Sequence, residues 1–217
     1  MTIYRIPQML KTLIFDIDGT LYTSPAYVFE QVDAQIRHYA KLNGMSNQEA
    51  REKISIYRRK WSKEHCGKKL SLGNAFTAFG VSIEESIRWR NELLHPERYL
   101  QRDERLIETL RLLAPHYCMI CVTNNPVAAA RQTLAAIGAD DLLPEIIGLD
   151  SCKKSKPAVE MLSLAASQTG AAYSECLSIG DRYDIDVALP LELGMGGIVV
   201  SGVEDVYDLP RILSCAS

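Results

Sequence analysis

The sequence predicts an α/β fold, in which a parallel sheet carries helices on both faces and a smaller all-helical region is inserted. Five short runs are apolar at consecutive rather than alternate positions, as expected of strands buried on both faces. They cover residues 12–17, 117–123, 145–150, 176–180 and 196–202. Helical patterns separate the later runs, and one begins at Pro126 and stops at Gly138. Alternating strands and helices predict right-handed crossovers and a Rossmann-like core.

Length and charge restrict the class of protein and of partner. The 217 residues suffice for one core domain with a small insert. A formal net charge of −3 gives no general attraction to nucleic acid or to anionic membranes, so we expect a small-molecule partner. Residues 1–12 contain no apolar signal core, and no apolar run approaches the roughly 18 residues of a membrane span. We expect a cytoplasmic protein, either a monomer or a homodimer.

The six cysteines show neither a disulfide framework nor the spacing of metal ligands. Cys118 and Cys121 lie in one apolar run, where residues three apart point to opposite faces of a strand. We interpret both as small hydrophobic residues of a buried strand, and we expect the thiols, including that of Cys215, to be reduced.

The first apolar run ends on two carboxylates, Asp16 and Asp18, and Gly19 then allows the chain to bend away. We expect this run to be the first strand and a central one, with Asp16 at its carboxyl end. Two carboxylates so close together repel each other. A divalent cation bound by oxygen atoms would offset the repulsion and leave Asp16 able to act as a nucleophile.

The region 24–100 lacks a convincing strand and has a helical pattern instead. Ser46 with Glu49, and Ser82 with Glu85, are spaced as capping boxes. Ahead of them, five apolar residues at helical spacing predict the buried face of one helix: Val28, Phe29, Val32, Ile36 and Tyr39. We expect a core formed by residues 1–23 and 101–217, and a helical domain, 24–100, inserted beside the carboxyl end of the sheet.

Polar side chains follow the later strands as well. Thr123 and Asn124 end the second run, Lys156 precedes a helix, and Asp181 follows the fourth run. Taken singly, each is equally well explained as a turn or cap residue. Together they predict a site at the carboxyl edge of the sheet. Carboxylates there indicate a metal such as Mg²⁺, and the lysine and threonine indicate an anionic substrate such as a phosphate.

Four segments carry a resemblance to a known family: "FDIDGTLY", "VTNN", "KKSKP" and "GDRYDID". In this order, at strand ends, they resemble the four motifs of the haloacid dehalogenase superfamily. The resemblance covers the whole chain, including a helical cap after the first motif. The chain is most similar to the phosphatases with a small helical cap, which include phosphoglycolate phosphatase-like and pyrimidine 5′-nucleotidase-like enzymes.

The resemblance implies a role for each catalytic residue. Asp16 would attack phosphorus and form an aspartyl-phosphate, while Asp18 would protonate the leaving group and then activate water. Thr123 and the backbone of Asn124 would hold a phosphoryl oxygen, and Lys156 would balance the negative charge.

The resemblance also implies the metal ligands. These are Asp16, the backbone carbonyl of Asp18, Asp181, and a second acid of the last motif. The order of residues in "GDRYDID" favours Asp186 over Asp184 for that acid.

The function expected is therefore Mg²⁺-dependent hydrolysis of a small phosphorylated metabolite, such as a nucleotide, phosphoglycolate or a sugar phosphate. Alternatives on the same fold are a phosphomutase, a dehalogenase, a non-catalytic binding protein, and a phosphonatase with a Schiff base on Lys41 or Lys53.

The basic segment 57–76 would either face the active site or form a solvated turn. His38 is expected to have a structural role.

Overall fold

The computed structural model describes residues 1–67 and 69–214, so Cys215 lies outside the described residues. By its internal contacts the chain divides into two compact units. One consists of residues 1–25 together with the chain from residue 95 onward, and the other consists of residues 26–94. None of the described helices is both long enough and apolar enough to cross a membrane.

The first unit contains a six-stranded sheet, which confirms the α/β prediction. The strands are β1 (Thr2–Arg5), β2 (Thr12–Phe15), β3 (Cys118–Val122), β4 (Ile146–Ile147), β5 (Cys176–Gly180) and β6 (Gly196–Val199). Their order in the sheet is β1-β6-β5-β2-β3-β4, with β1 antiparallel to β6 and every other pair parallel.

Two expectations about the strands are wrong. The first strand in the sequence is β1, which lies at the edge of the sheet, whereas the strand before Asp16 is β2, between β5 and β3. All four residues of β1 are exposed, so its sequence lacks the continuous apolar run that identified the other strands. Cys118 is exposed at the start of β3, whereas Cys121 is buried; the described cysteines are free thiols.

The register of the central strands aligns their carboxyl ends. Phe15, the last residue of β2, pairs with Cys121 of β3 and with Ile179 of β5. Every residue of β2 and β5 is buried. The residues that follow these strands therefore emerge at the same edge of the sheet, from a rigid and fully packed support.

Helices connect the strands of this unit. Helix α6 (Val127–Ile137) begins after Pro126. Helices α6 and α8 (Val159–Thr169) both end at glycines in the left-handed conformation, Gly138 (φ 76°) and Gly170 (φ 66°). These helix ends are where the sequence predicts them. The helices are α5 (Glu104–Leu113), α6 (Val127–Ile137), α7 (Leu149–Cys152), α8 (Val159–Thr169), α9 (Ala188–Glu192), α10 (Val203–Val206) and α11 (Leu209–Ser214).

The unit 26–94 is helical, and a cluster that includes Tyr39, Ile54, Phe76 and Trp89 forms its core. His38 packs edge-on against the Trp89 ring, with 4.8 Å between ring centroids. The α-helices of this unit, within the described residues, are α1 (Pro25–Leu42), α2 (Asn47–Glu64), α3 (Leu72–Thr77) and α4 (Ile83–Leu93).

The buried face of α1 differs from the prediction. Ile36 and Tyr39 are buried as expected, but Val28, Phe29 and Val32 are exposed. Polar residues of α1 take the buried positions instead, among them Asp33, whose carboxylate is paired with Arg51 and Arg37. A buried carboxylate is tolerated when it is paired, and apolar spacing alone does not reveal such a pair.

The two predicted capping boxes differ in outcome. Ser46 and Glu49 form both reciprocal hydrogen bonds at the start of α2. Ser82 caps α4 by accepting a hydrogen bond from the backbone of Glu85, but the Glu85 carboxylate pairs with Arg88.

Candidate active site

Asp16 lies at the carboxyl end of β2 and is only 4% exposed. Its backbone N–H donates to Ile179 O at 2.9 Å, which extends the pairing of β2 with β5 by one residue. Its carboxylate accepts two hydrogen bonds, from Lys156 Nζ to Oδ1 at 2.5 Å and from Thr20 Oγ1 to Oδ2 at 3.2 Å. The sheet and two donors therefore fix the position of this carboxylate.

Lys156 bridges two carboxylates. Its Nζ lies 2.5 Å from Asp16 Oδ1 and 2.7 Å from Asp186 Oδ1, and its side chain is 7% exposed. The backbone N–H of Lys156 donates to Asn124 Oδ1 at 2.6 Å, which ties this loop to the end of β3. The ammonium group is therefore held between acids that follow two different strands, β2 and β5.

Asp186 reaches the same place from a π-helical turn, Tyr183–Val187, after β5. Ser178 Oγ donates to Asp186 O at 2.7 Å, and the Arg182 N–H donates to Asp186 Oδ2 at 3.1 Å. A Cβ at Gly180 would lie 2.4 Å from the Asp186 Cβ, so the close approach requires glycine there. Asp184, the alternative second acid, is exposed and lies outside this arrangement.

Three carboxylates converge here. One oxygen from each of Asp16, Asp181 and Asp186 lies within 4.8 Å of the others. Oxygen ligands of this kind suit a hard divalent cation. Lys156 is the cation shared by two of the acids, and Arg182 lies beside the third, with Nε 3.3 Å from Asp181 Oδ1.

Burial and mutual repulsion perturb these groups. Burial raises the pKa of Asp16 to about 7; Lys156 opposes this rise, and Asp186 and Asp18 add to it. Burial also raises the pKa of Asp181. Burial works against the charge on Lys156, but Asp16 and Asp186 outweigh it and raise the pKa of the ammonium. The carboxylates therefore carry more negative charge than Lys156 and Arg182 offset, and a bound cation would offset the remainder.

Asp18 follows on the turn after β2, and donors hold both of its oxygens. Tyr22 Oη donates to Oδ1 at 2.6 Å, and Asn125 Nδ2 donates to Oδ2 at 2.9 Å. Gly19 has φ 84°, and a Cβ there would lie 2.7 Å from Asp181 Oδ2, so glycine lets this turn pass close to the acid cluster. Tyr22 and Asn125 are both buried.

Thr123 lies at the end of β3 and is fully buried. Its Oγ1 accepts a hydrogen bond from the Asn125 N–H at 3.1 Å, and its own N–H donates to Ile147 O at 2.9 Å. The loop after it is held by Asp150, whose Oδ1 accepts from the Val127 N–H at 2.9 Å. The sequence and the sheet together thus place a hydroxyl at the edge where Asp16 emerges.

The structure brings most of the site residues expected from the sequence to one place. Lys156 contacts Asp16 and Asp186 directly, and an oxygen of Asp181 lies within 4.8 Å of both acids. Asn124 joins them through the backbone of Lys156. Three further residues hold the predicted site residues in place: Thr20, Tyr22 and Asn125. All three lie within the segments "FDIDGTLY" and "VTNN", which was a usable signal, but no role was predicted for them. The spacing of Tyr22 and Asp18 does not by itself indicate a hydrogen bond between them.

These acids lie at the carboxyl edge of a mostly parallel α/β sheet, as the resemblance to a hydrolase family implies. The chain belongs to the haloacid dehalogenase-like hydrolase family, whose model matches residues 10–192. It is an enzyme of this class, as the four motifs predict.

Phosphatases are among its relatives. The chain is 24% identical to pyrophosphatase PpaX of Listeria welshimeri over 194 aligned residues; the alignment covers 87% of this chain and 83% of that protein. It is 26% identical to phosphoglycolate phosphatase of Xanthomonas campestris pv. campestris over 183 aligned residues; this alignment covers 79% of this chain and 74% of that protein. A HAD phosphatase from Thermococcus onnurineus has the same fold, with a TM-score of 0.62 at 22% identity over 94% of this chain and 98% of that one.

Proposed function

We propose that this protein is a Mg²⁺-dependent phosphatase that hydrolyses a small phosphorylated metabolite through an aspartyl-phosphate. One observation carries the proposal: buried Asp16 shares Lys156 with Asp186 and lies in one acid cluster with Asp181. A turn or helix cap would not require three acids from separate segments to converge on a buried ammonium.

In the first step, an Asp16 oxygen forms a bond to phosphorus as the bond from phosphorus to the leaving oxygen breaks. Asp18 gives its proton to that oxygen. In the second step, Asp18 takes a proton from water, the water oxygen attacks phosphorus, and the bond to Asp16 breaks. Inorganic phosphate is released and both carboxyl groups return to their starting states.

The neighbouring residues position these two acids and the phosphoryl group. Lys156 holds Asp16 in place and offsets the negative charge of the attacking carboxylate. The Thr123 hydroxyl and the Asn124 N–H donate to a phosphoryl oxygen. Tyr22 and Asn125 fix Asp18.

The acid cluster fits Mg²⁺, because its three converging carboxylates outnumber the two cationic side chains beside them, Lys156 and Arg182. Asp16, Asp181 and Asp186, together with the backbone carbonyl of Asp18, would hold the ion. When bound, it neutralises carboxylate and phosphoryl charge and so stabilises the transition state.

We further propose that the helical unit 26–94 is a cap domain that selects the leaving group. Pyrophosphatase and phosphoglycolate phosphatase relatives support a small anhydride or ester as substrate, because both relatives' names specify small phosphorylated compounds. A screen of phosphorylated metabolites, ranked by kcat/KM, would identify the preferred substrate, because discrimination between substrates is measured by that ratio.

The test is phosphate release from p-nitrophenyl phosphate with Mg²⁺. Asp16→Asn is expected to abolish turnover while its circular dichroism remains that of the wild type, and EDTA is expected to abolish wild-type turnover. Wild-type rates in the variant would contradict the mechanism. Chloride release from 2-chloropropionate that survives EDTA would indicate a dehalogenase instead.

A further inference from the structure

The proposed reaction leaves the basic segment 57–76 without a role. Within the helical unit, α2 and residues 69–70 border a cavity of about 280 Å³. Among the lining residues that the structure describes, none is a carboxylate and four are cationic: Arg51, Arg58, Arg59 and Lys69. This volume is close to the lower end of the range of small-molecule sites, roughly 300–1,000 Å³.

The cationic wall follows from the spacing of residues on one helix. Arg51, Arg58 and the intervening Ile54 recur at three- and four-residue intervals, so α2 presents them on one face. Arg51 is fixed by two hydrogen bonds to Asp33, from Nε at 2.7 Å and Nη2 at 2.9 Å. Arg58 is fixed by its Nε, which donates to Leu70 O at 2.9 Å. Both guanidinium groups are thus oriented before any ligand arrives.

The charges around the cavity are not balanced. Arg51 is paired with Asp33, but within the part of the chain that the structure describes, Arg58, Arg59 and Lys69 form no ion pair with a carboxylate. Arg58 is half-buried, and burial lowers the pKa of its guanidinium. A partly desolvated cation without a counter-charge is unfavourable for the fold on its own, and a bound anion would offset this cost.

The floor of the cavity is apolar. Ile54 is 1% exposed, and Leu70 is 9% exposed. A ligand that fits both the cationic wall and the apolar floor has an anionic group, which binds the guanidinium groups, and a small apolar group, which contacts the floor. A ligand with two negative charges balances the three cations without an ion pair better than a ligand with one negative charge does. Guanidinium groups can bind two phosphoryl oxygens at once through two parallel N–H donors.

We propose that this cavity is a binding site for an organic phosphate dianion of metabolite size, with the phosphoryl group on Arg58 and Arg59. The proposal does not depend on the reaction assigned to Asp16, because none of the residues that carry it belongs to the acid cluster.

The binding test uses the ¹⁵N-labelled full chain in EDTA, titrated with phenylphosphonate, which has the head group and an apolar ring but is not hydrolysed. Backbone amide shifts of residues 55–62 and 69–70 are expected to saturate. Inorganic phosphate is expected to shift the same amides with several-fold weaker affinity, because it leaves the apolar floor uncovered. Shifts that rise linearly with concentration, or that sodium chloride of equal ionic strength reproduces, would overturn the proposal.

Variants separate this site from general charge attraction. Arg58→Gln is expected to weaken phenylphosphonate binding by about tenfold or more, since charge-assisted hydrogen bonds to the ligand are lost. The double variant Arg59→Gln/Lys69→Gln keeps the hydrogen bond from Arg58 Nε to Leu70 O. It is expected to weaken phenylphosphonate binding as much as Arg58→Gln does, so it tests the site even if Arg58→Gln misfolds.

The matched control is Lys60→Gln/Lys63→Gln, which removes the same amount of charge, from positions on α2 that do not line the cavity. It is expected to leave the affinity within about twofold of wild type, because exposed charges outside the cavity are screened by solvent and salt. Equal losses in the control and in the cavity variants would refute the proposal, as would undiminished binding in the cavity double variant.

Discussion

Tyr22 gives the sharpest test of how Asp18 is positioned. Tyr22→Phe removes one hydroxyl from a buried ring and with it the 2.6 Å hydrogen bond to Asp18 Oδ1. Asn125 still holds the other oxygen, so the side chain stays near its place. Asp18 becomes negatively charged as it gives its proton to the leaving oxygen, and a hydrogen bond to a charged group contributes about 1.5–3 kcal/mol. We take about 1.5–2 kcal/mol because one donor remains. That range corresponds to about 10–30-fold in kcat/KM.

The loss should depend on the leaving group. Asp18 protonates the leaving oxygen, and this help matters more for a basic alkoxide than for p-nitrophenolate. We therefore expect a larger loss with an alkyl phosphate than with p-nitrophenyl phosphate. The loss should fall mainly on kcat, because the contact acts in the transition state. The assay is steady-state phosphate release over a series of phosphate monoesters.

The chain offers a matched control in Tyr207, whose hydroxyl also donates over 2.6 Å to a carboxylate, that of Asp103. Tyr207→Phe removes the same kind of bond outside the acid cluster and is expected to keep wild-type kcat. Equal losses in the two variants, or a loss in Tyr22→Phe that is the same for every leaving group, would refute the positioning role.

Three further predictions concern the acid cluster. Gly19→Ala should weaken Mg²⁺ binding by about 10–100-fold in calorimetry, because its Cβ would lie 2.7 Å from Asp181 Oδ2 and displace this carboxylate. Lys156→Met should lower the free energy of unfolding in EDTA by about 3–5 kcal/mol in urea titrations, because it leaves buried acids unpaired. The pKa of Asp16 is about 7, so protons compete with the metal below that pH; apparent Mg²⁺ affinity should rise with pH up to about 7 and level off above it.

Each of these has a control and a contrary outcome. Gly44 also has a positive φ, of 62°, but a Cβ there meets nothing within 4 Å, so the Mg²⁺ affinity of Gly44→Ala should equal that of wild type. Lys154→Met removes an exposed ion pair with Glu160 and should change stability little. Unchanged Mg²⁺ binding in Gly19→Ala, wild-type stability in Lys156→Met, or an affinity that falls as pH rises from 5 to 7 would each contradict the arrangement described.

The parts of the fold that follow from local pattern were predictable. Strands β2 and β5 are buried throughout, so their continuous apolar runs identify them, and a polar residue at the end of each run marks the sheet edge. Because parallel strands end at one edge, Asp16 and Asp181 could be assigned to one site from the sequence alone, and the order of the motifs added Lys156. Asp186 could be preferred only by motif order, and the turn after β5 supplies the physical reason.

The parts that depend on long-range packing were not predictable. Strand β1 is exposed and antiparallel, so no apolar run marks it. The inner face of α1 includes Asp33, which is buried only because Arg51 on another helix pairs with it. The bond from Tyr22 to Asp18 depends on the conformation of the turn between them, which local spacing does not determine.

The central claim is that Asp16 is the nucleophile and that Asp16, Asp181 and Asp186 share one magnesium ion. The most direct measurement is a crystal structure of the protein with Mg²⁺ and beryllofluoride, which mimics the phosphoryl group. We expect beryllium bonded to an Asp16 oxygen, with magnesium contacting the carboxylates of Asp181 and Asp186. Beryllium on Asp18, or magnesium bound by Asp184 and away from Asp181, would contradict the account.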